Sequence, residues 1–363
     1  MFHTFPRRSS IHPLPPFHSV HYSHIFCRRM TSSLPLLCIP YLPLKKIIDF
    51  MEPSSLVSVS LCSQKCQSVI KTYTRKSIDG HLHVSGFEHF LLSFDKFCDY
   101  QIVMVASGLQ KMTNRTRFVD MNGQNVALTV NEEKGYLVTH WEDEVNGVKI
   151  LTDYVTQLFN IDVLGITFNR KNIWMIDWVN NRQQSHVRSV YCEDWKDTLT
   201  EDELTHILRD CPASFETVIY PSPPSNFQFQ ENFRQIDYLS ISDGSWVTID
   251  NLLTMDGREI MMFKSSLTSI NINTFLKHWL AGGCPRLKLF SAKTINFDLD
   301  ALFADINVVF VEGLRQYTSP FQIKYRFNFG YDLRREDGVI ATVFYRPDGE
   351  IIIAVWPEII CYH

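Results

Sequence analysis

The spacing of apolar residues changes period along this chain, and each change marks a different kind of element. Over residues 39–70, IPYLPLKKIIDFMEPSSLVSVSLCSQKCQSVI, the period is helical. Leu44, Ile47, Ile48 and Met51 fall at i, i+3, i+4 and i+7, the stripe of one amphipathic helix. Glu52-Pro53 ends that helix, and Ser54 is placed to cap a second, on which Leu56, Val57, Val59 and Leu61 are apolar nearly all round. Ser63 is placed to cap a third, carrying Cys66, Val69, Ile70 and Tyr73. A bundle of about 40 residues sits at the lower limit for independent folding. These helices therefore need another apolar surface, either on the rest of the chain or on a partner.

Residues 78–148 read as strands at 101–106 (QIVMVA), 126–130 (VALTV) and 135–141 (GYLVTHW). Asn122-Gly123 and Asn146-Gly147 are turn signals between them, which predicts a small antiparallel module over 77–148. From 149 a longer rhythm begins. Ile161, Leu164, Ile166 and Asn169 fit the leucine-rich-repeat template, and looser copies centre on Val190, Val218, Leu239, Ile260 and Phe290. Helical patterns at 173–179, 202–208, 248–255 and 272–280 fall between them. Strand, helix, strand at this spacing predicts parallel strands stacked into an irregular arc over 149–320; an ordinary α/β sandwich is the alternative. Over 321–357, Asp337-Gly338 and Asp348-Gly349 separate three alternating runs, an antiparallel meander able to cover the open end of the arc.

Composition narrows the function. The 363 residues carry a formal charge of −4, which gives no basic field for nucleic acid, and no apolar run is long enough to span a membrane. Nine cysteines at unpaired spacings suit the cytoplasm or nucleus rather than a secreted disulfide frame. Residues 1–33 hold Arg7, Arg8, Arg28 and Arg29 but no acid, in part the composition of a mitochondrial transit peptide. Pro6, Pro13, Pro15 and Pro16 would break its helix, so a disordered tail, or a start at Met30, is expected. Neither a phosphate loop nor a nucleophile elbow nor a dinucleotide fingerprint occurs. His81-x-His83 lacks further ligands for a metal, and Asp298-x-Asp300 reads as the start of a helix at 299–304. Gly282-Gly283 reads as a helix stop, and Trp174 and Trp178, four apart, as core filling. No catalytic residue, metal site or cofactor is expected. In a repeat arc, residues flanking the inward positions would meet a protein: Thr167, Tyr191, Glu193, Tyr238, Ser240 and Ser242.

Residues 39–70 resemble an F-box. Ile39-Pro40 stands for its opening Leu-Pro, followed in order by Ile47, Met51, Pro53, Leu56, Leu61 and Ser63, while Cys66 stands where a tryptophan is common. The remainder resembles the type 2 F-box-associated domain of a large nematode family, through NIDVLGITFN, IDWVNNRQ, SWVTIDNLL, FLKHWLAGGCPRLK and DLRREDGVIATVFY. The resemblance implies an F-box over 34–76 that docks a Skp-type adaptor, and through it cullin and RING subunits of an SCF-type ubiquitin ligase. Its adaptor contacts would be Ile39, Pro40, Leu44, Ile47, Ile48, Met51, Pro53 and Leu56. It implies a C-terminal domain that holds a protein substrate, with the chemistry done by partner enzymes. The expected fold is then α+β or α/β: three-helix F-box, β-rich module, repeat-like arc and C-terminal meander. A scaffold that binds the adaptor but serves no ligase is one alternative. A metabolic α/β enzyme with a helical N-terminal domain is another, and would need a polar pocket with displaced pKa values.

Overall fold

The computed structural model describes residues 39–74, 80–96 and 99–357. The tail expected at 1–33 lies outside the described residues. Two compact units divide the chain, Met1–Ile47 and Ile48–His363.

Helix α1 (Tyr41–Phe50) crosses that division. Along it Leu44 and Ile48 are buried, whereas Tyr41, Leu42, Ile47 and Phe50 are exposed. Helix α2 (Pro53–Ser60) begins a residue before the Ser54 cap that its sequence suggests. Glu52 holds the N-cap position and Pro53 the first turn, where proline's fixed φ fits and its missing N–H costs nothing. Ser63 caps α3 (Gln64–Tyr73) as expected, its hydroxyl accepting from the Cys66 N–H at 3.2 Å.

Among the described residues, all sixteen strands belong to one sheet. Strands β1 (His81–Gly86), β2 (Phe90–Lys96) and β3 (Asp99–Gly108) form an antiparallel meander. Strands β4 (Arg117–Met121), β5 (Gln124–Val130) and β6 (Leu137–Trp141) form a second, which joins β3 in parallel through β6. Asn122 and Gly123, both at positive φ (53° and 84°), make the β4–β5 turn. Asn146-Gly147 does not turn the chain. It lies in the first turn of α4 (Glu144–Phe159), which Asp143 caps by accepting from the Val145 N–H at 2.9 Å. Gly147 is there for space, since a Cβ would sit 2.5 Å from the Trp141 ring.

Helix α4 packs on β2, β3 and β6, α2 packs on β3, and α3 packs on α4. The apolar sides of α2 and α3, with Leu56, Val57 and Ile70 buried, are thus covered by this chain's own sheet body. Ser60 Oγ lies 2.8 Å from the Tyr154 hydroxyl on α4, and burial pushes that hydroxyl's pKa up to about 12. Ser60→Ala would leave the buried hydroxyl unpaired and is expected to cost about 1–2 kcal/mol. Urea unfolding reads this, and the Ser60→Ala/Tyr154→Phe double variant should recover part of the loss.

Strands β7 (Val163–Phe168), β8 (Ser189–Cys192), β9 (Glu216–Ile219), β10 (Tyr238–Ile241), β11 (Glu259–Met262) and β12 (Leu289–Lys293) run parallel in chain order, and β1 pairs parallel with β7. Ile166, Val190, Thr217, Leu239, Ile260 and Phe290 lie in one cross-strand row, all buried. Helices α5 (Met175–Arg182), α6 (Glu201–Arg209), α7 (Ile249–Thr254) and α8 (Ser269–Leu280) fall where helical periodicity places them. Phe275 of α8 meets Phe290 of that row with ring centroids 4.9 Å apart. Thr200, Thr248 and Thr268 each open a helix with a reciprocal capping box. Gly282, at φ 96°, ends α8, and Asp298 caps α9 (Leu299–Leu302), shorter than its sequence suggests. Trp174 and Trp178 are only half-buried, their rings 5.7 Å apart; Trp174 holds the N-cap position of α5 and Trp178 lies within it.

At the end of the chain β16 (Glu350–Val355) pairs antiparallel with β12, and β15 (Ile340–Tyr345), β14 (Lys324–Arg334) and β13 (Val309–Thr318) follow outward. The meander has four strands rather than the expected three. Strand β13 escapes the sequence because most of its residues are exposed and no apolar alternation marks it.

Candidate functional site

Two surfaces are the candidates. The first is the N-terminal helical segment. In the first unit Pro40 and Ile47 are exposed, Ile39 is half-buried and Leu44 is buried. In the second, Met51 and Pro53 are half-buried, while Ile48 and Leu56 are buried. The most exposed apolar side chain of this segment is Phe50, at 88%. The resemblance does not mark Phe50, and its signal is its absence from the buried stripe: it sits two residues past Ile48, on a different side of α1.

The second surface is the sheet face opposite the α8 helix. Rows carrying Thr167, Tyr191, Val218, Ser240 and Met261, and Glu216, Tyr238, Glu259 and Leu289, point to it. Over β9–β12 this face is closed by the chain's own C-terminal hairpin. Tyr317, Phe321, Tyr325 and Phe327 bury against Val218, Tyr238, Met261 and Leu289. Phe321 is the centre of that cover. Its ring lies 5.0 Å from both Phe215 and Tyr238, and its backbone N–H donates to the buried Glu259 carboxylate at 2.6 Å. Of the six flanking residues read from sequence, Thr167, Glu193, Tyr238 and Ser240 are buried, and Tyr191 and Ser242 are half-buried.

Toward β7 and β8 the face is polar. His83 Nε2 lies 2.7 Å from Thr167 Oγ1, and the Tyr191 hydroxyl donates to Glu216 at 2.5 Å. The imidazole has room because Gly165, beside it, has no side chain. Burial lowers the His83 pKa to about 4 and raises that of Glu193 to about 7. His83 therefore protonates more readily unfolded than folded. Its contribution to stability is complete above about pH 6.5 and is lost as pH falls toward 4, up to roughly 3 kcal/mol. Glu193 acts with the opposite sign, favouring the fold less as pH rises from 4.5 to 7. Wild type should therefore lose more stability than His83→Gln between pH 7 and 4.5, by urea unfolding at each pH.

Residues 36–77 match the F-box domain family, and residues 228–292 match the family described as F-box associated. The second match takes in SWVTIDNLL and FLKHWLAGGCPRLK; the other quoted blocks lie outside it. The chain is similar to the Skn-1 dependent zygotic transcript 15 protein of Caenorhabditis elegans, 22% identical over 329 residues, covering 84% of this chain and 92% of that one. No solved structure matches. One chain thus carries both matches, the F-box over its N-terminal helices and the F-box-associated region across β10 to β12.

Proposed function

We propose that this chain is the substrate receptor of an SCF-type cullin–RING ubiquitin ligase. Its F-box segment docks a Skp-type adaptor, its sheet body holds a protein substrate, and catalysis belongs to the partner enzymes. The observation that carries the reading is the F-box match over 36–77 together with large apolar side chains left in water: Tyr41 at 58%, Leu42 at 69% and Ile47 at 40% exposed in the first unit, and Phe50 in the second. Exposed aromatic and aliphatic side chains of this size suit the centre of a protein interface. Pro40 and Ile47, with the partly accessible Ile39, Met51 and Pro53, are the proposed contacts among those the resemblance implies. Leu44 in the first unit, and Ile48 and Leu56 in the second, are buried and are left out of that set.

The boundaries 34–76 for the F-box, 77–148 for the β-rich module, 149–320 for the associated domain and 321–357 for its meander remain our proposed division. Parallel strands in chain order, with one buried row running through six of them, support the repeat-like reading of 149–320. Tyr191 and Ser242, of the flanking set, keep the access a partner needs.

Reconstitution tests the proposal. The full chain, a Skp-type adaptor, a cullin and a RING subunit should co-elute as one assembly. Binding of adaptor without recruitment of the cullin would favour the adaptor-only scaffold instead.

A further inference from the structure

At the N-terminal ends of the parallel strands lies a cleft of about 250 Å³, lined by Arg188, Ser214, Phe215, Gln235, Asp237 and Arg286. Its residues come from the segments entering β8, β9, β10 and β12. The charges there are unequal. Arg286 pairs with Asp237, lies 3.9 Å from the Asp256 carboxylate and donates to the Asp256 carbonyl at 3.2 Å. Arg258 approaches Asp237 at 4.0 Å. Among the residues lining the cleft, the two guanidinium groups of Arg188 and Arg286 stand against the single carboxylate of Asp237.

Arg188 supplies the surplus. It is exposed, and among the described residues it has no carboxylate partner. Its guanidinium lies over the Phe215 ring, 4.8 Å from the centroid. The Phe215 ring also packs on Phe321, the centre of the hairpin cover, with centroids 5.0 Å apart. A guanidinium stacked on a fixed ring has fewer orientations to lose, so its fork of N–H donors is partly ordered before a ligand arrives. With Gln235 turned so that its oxygen accepts from Arg286 Nε at 3.2 Å, the floor of the cleft is tied down as well.

We propose that this cleft binds the oxyanion of an acidic side chain in a peptide, with Arg188 as the primary ligand. Guanidinium groups bind carboxylate and phosphate through paired, charge-assisted hydrogen bonds. The cleft is smaller than the roughly 300–1,000 Å³ of sites that enclose a whole small molecule, and fits the head of one side chain. The inference rests on the receptor reading only in naming the kind of substrate segment held, and the binding can be measured without adaptor.

Fluorescence anisotropy with the full chain tests it, using labelled peptides that differ only in a central glutamate, phosphoserine or glutamine. The glutamate and phosphoserine peptides should bind and the glutamine peptide should not. Whichever anionic peptide binds more tightly identifies carboxylate or phosphate as the preferred source. Binding should weaken as salt rises. Arg188→Gln should lose about tenfold or more in affinity, and Arg188→Lys should lose less. Arg115→Gln, at an exposed pair with Glu132 elsewhere on the body, should lose none. Arg188→Gln should still capture adaptor like the wild type, which separates failure of the cleft from failure of the receptor reading. Equal binding of all three peptides, equal binding by wild type and Arg188→Gln, or no binding of either anionic peptide would overturn the proposal.

Discussion

Phe321→Ala is expected to destabilise the sheet body by about 3 kcal/mol, in the range for removing a buried phenylalanine ring. The ring is nearly buried between Phe215 and Tyr238, so its removal opens a cavity at the centre of the hairpin cover. Glu259 would still accept the backbone N–H of residue 321, so the loss is one of packing rather than of hydrogen bonding. Phe310, in the strand paired with β14, gives the control. It is 55% exposed, and Phe310→Ala should shift stability by no more than about 0.5 kcal/mol. Urea unfolding of both variants separates a structural cover from a loosely attached one. If Phe321→Ala unfolds like the wild type, the hairpin is not held as described.

Phe50→Asp carries the second large effect. Adaptor affinity should fall by about a hundredfold or more, because a carboxylate would enter an apolar interface where it has no partner. The fold should be indifferent, since Phe50 contributes almost no buried surface to its own chain. Its urea midpoint should stay that of the wild type. The contrast with Ile48→Asp is informative: Ile48 is 1% exposed, so that variant should lose stability as well as binding. Loss of binding with unchanged stability is what separates an interface residue from a core residue on the same helix.

Much of the framework is readable from local periodicity. The Leu44–Ile48 stripe, the helix at 202–208 and the strands of the parallel ladder all announce themselves within a few residues, because each has a regular buried face. What escaped was decided by contacts that no hydrophobic period records. Asn146-Gly147 has the composition of a turn, yet the Trp141 ring and the Asp143 cap make it helix. Thr167, Tyr238 and Ser240 read as an accessible flank, and only the position of Phe321 and the His83 pairing reveal that they are enclosed. The Arg188 cleft is assembled from separate strand entries, so no single stretch of sequence could display it. Phe50 is legible only in the negative, as an aromatic residue that no buried stripe claims.

The proposed receptor function depends most on docking of the N-terminal helices to an adaptor. Isothermal titration of a purified Skp-type adaptor into the full chain measures it directly. Saturable one-to-one binding, roughly micromolar or tighter, with most of it lost in Phe50→Asp, is the predicted result. A folded wild-type chain that takes up no adaptor, or a Phe50→Asp chain that binds as tightly as the wild type, would contradict it.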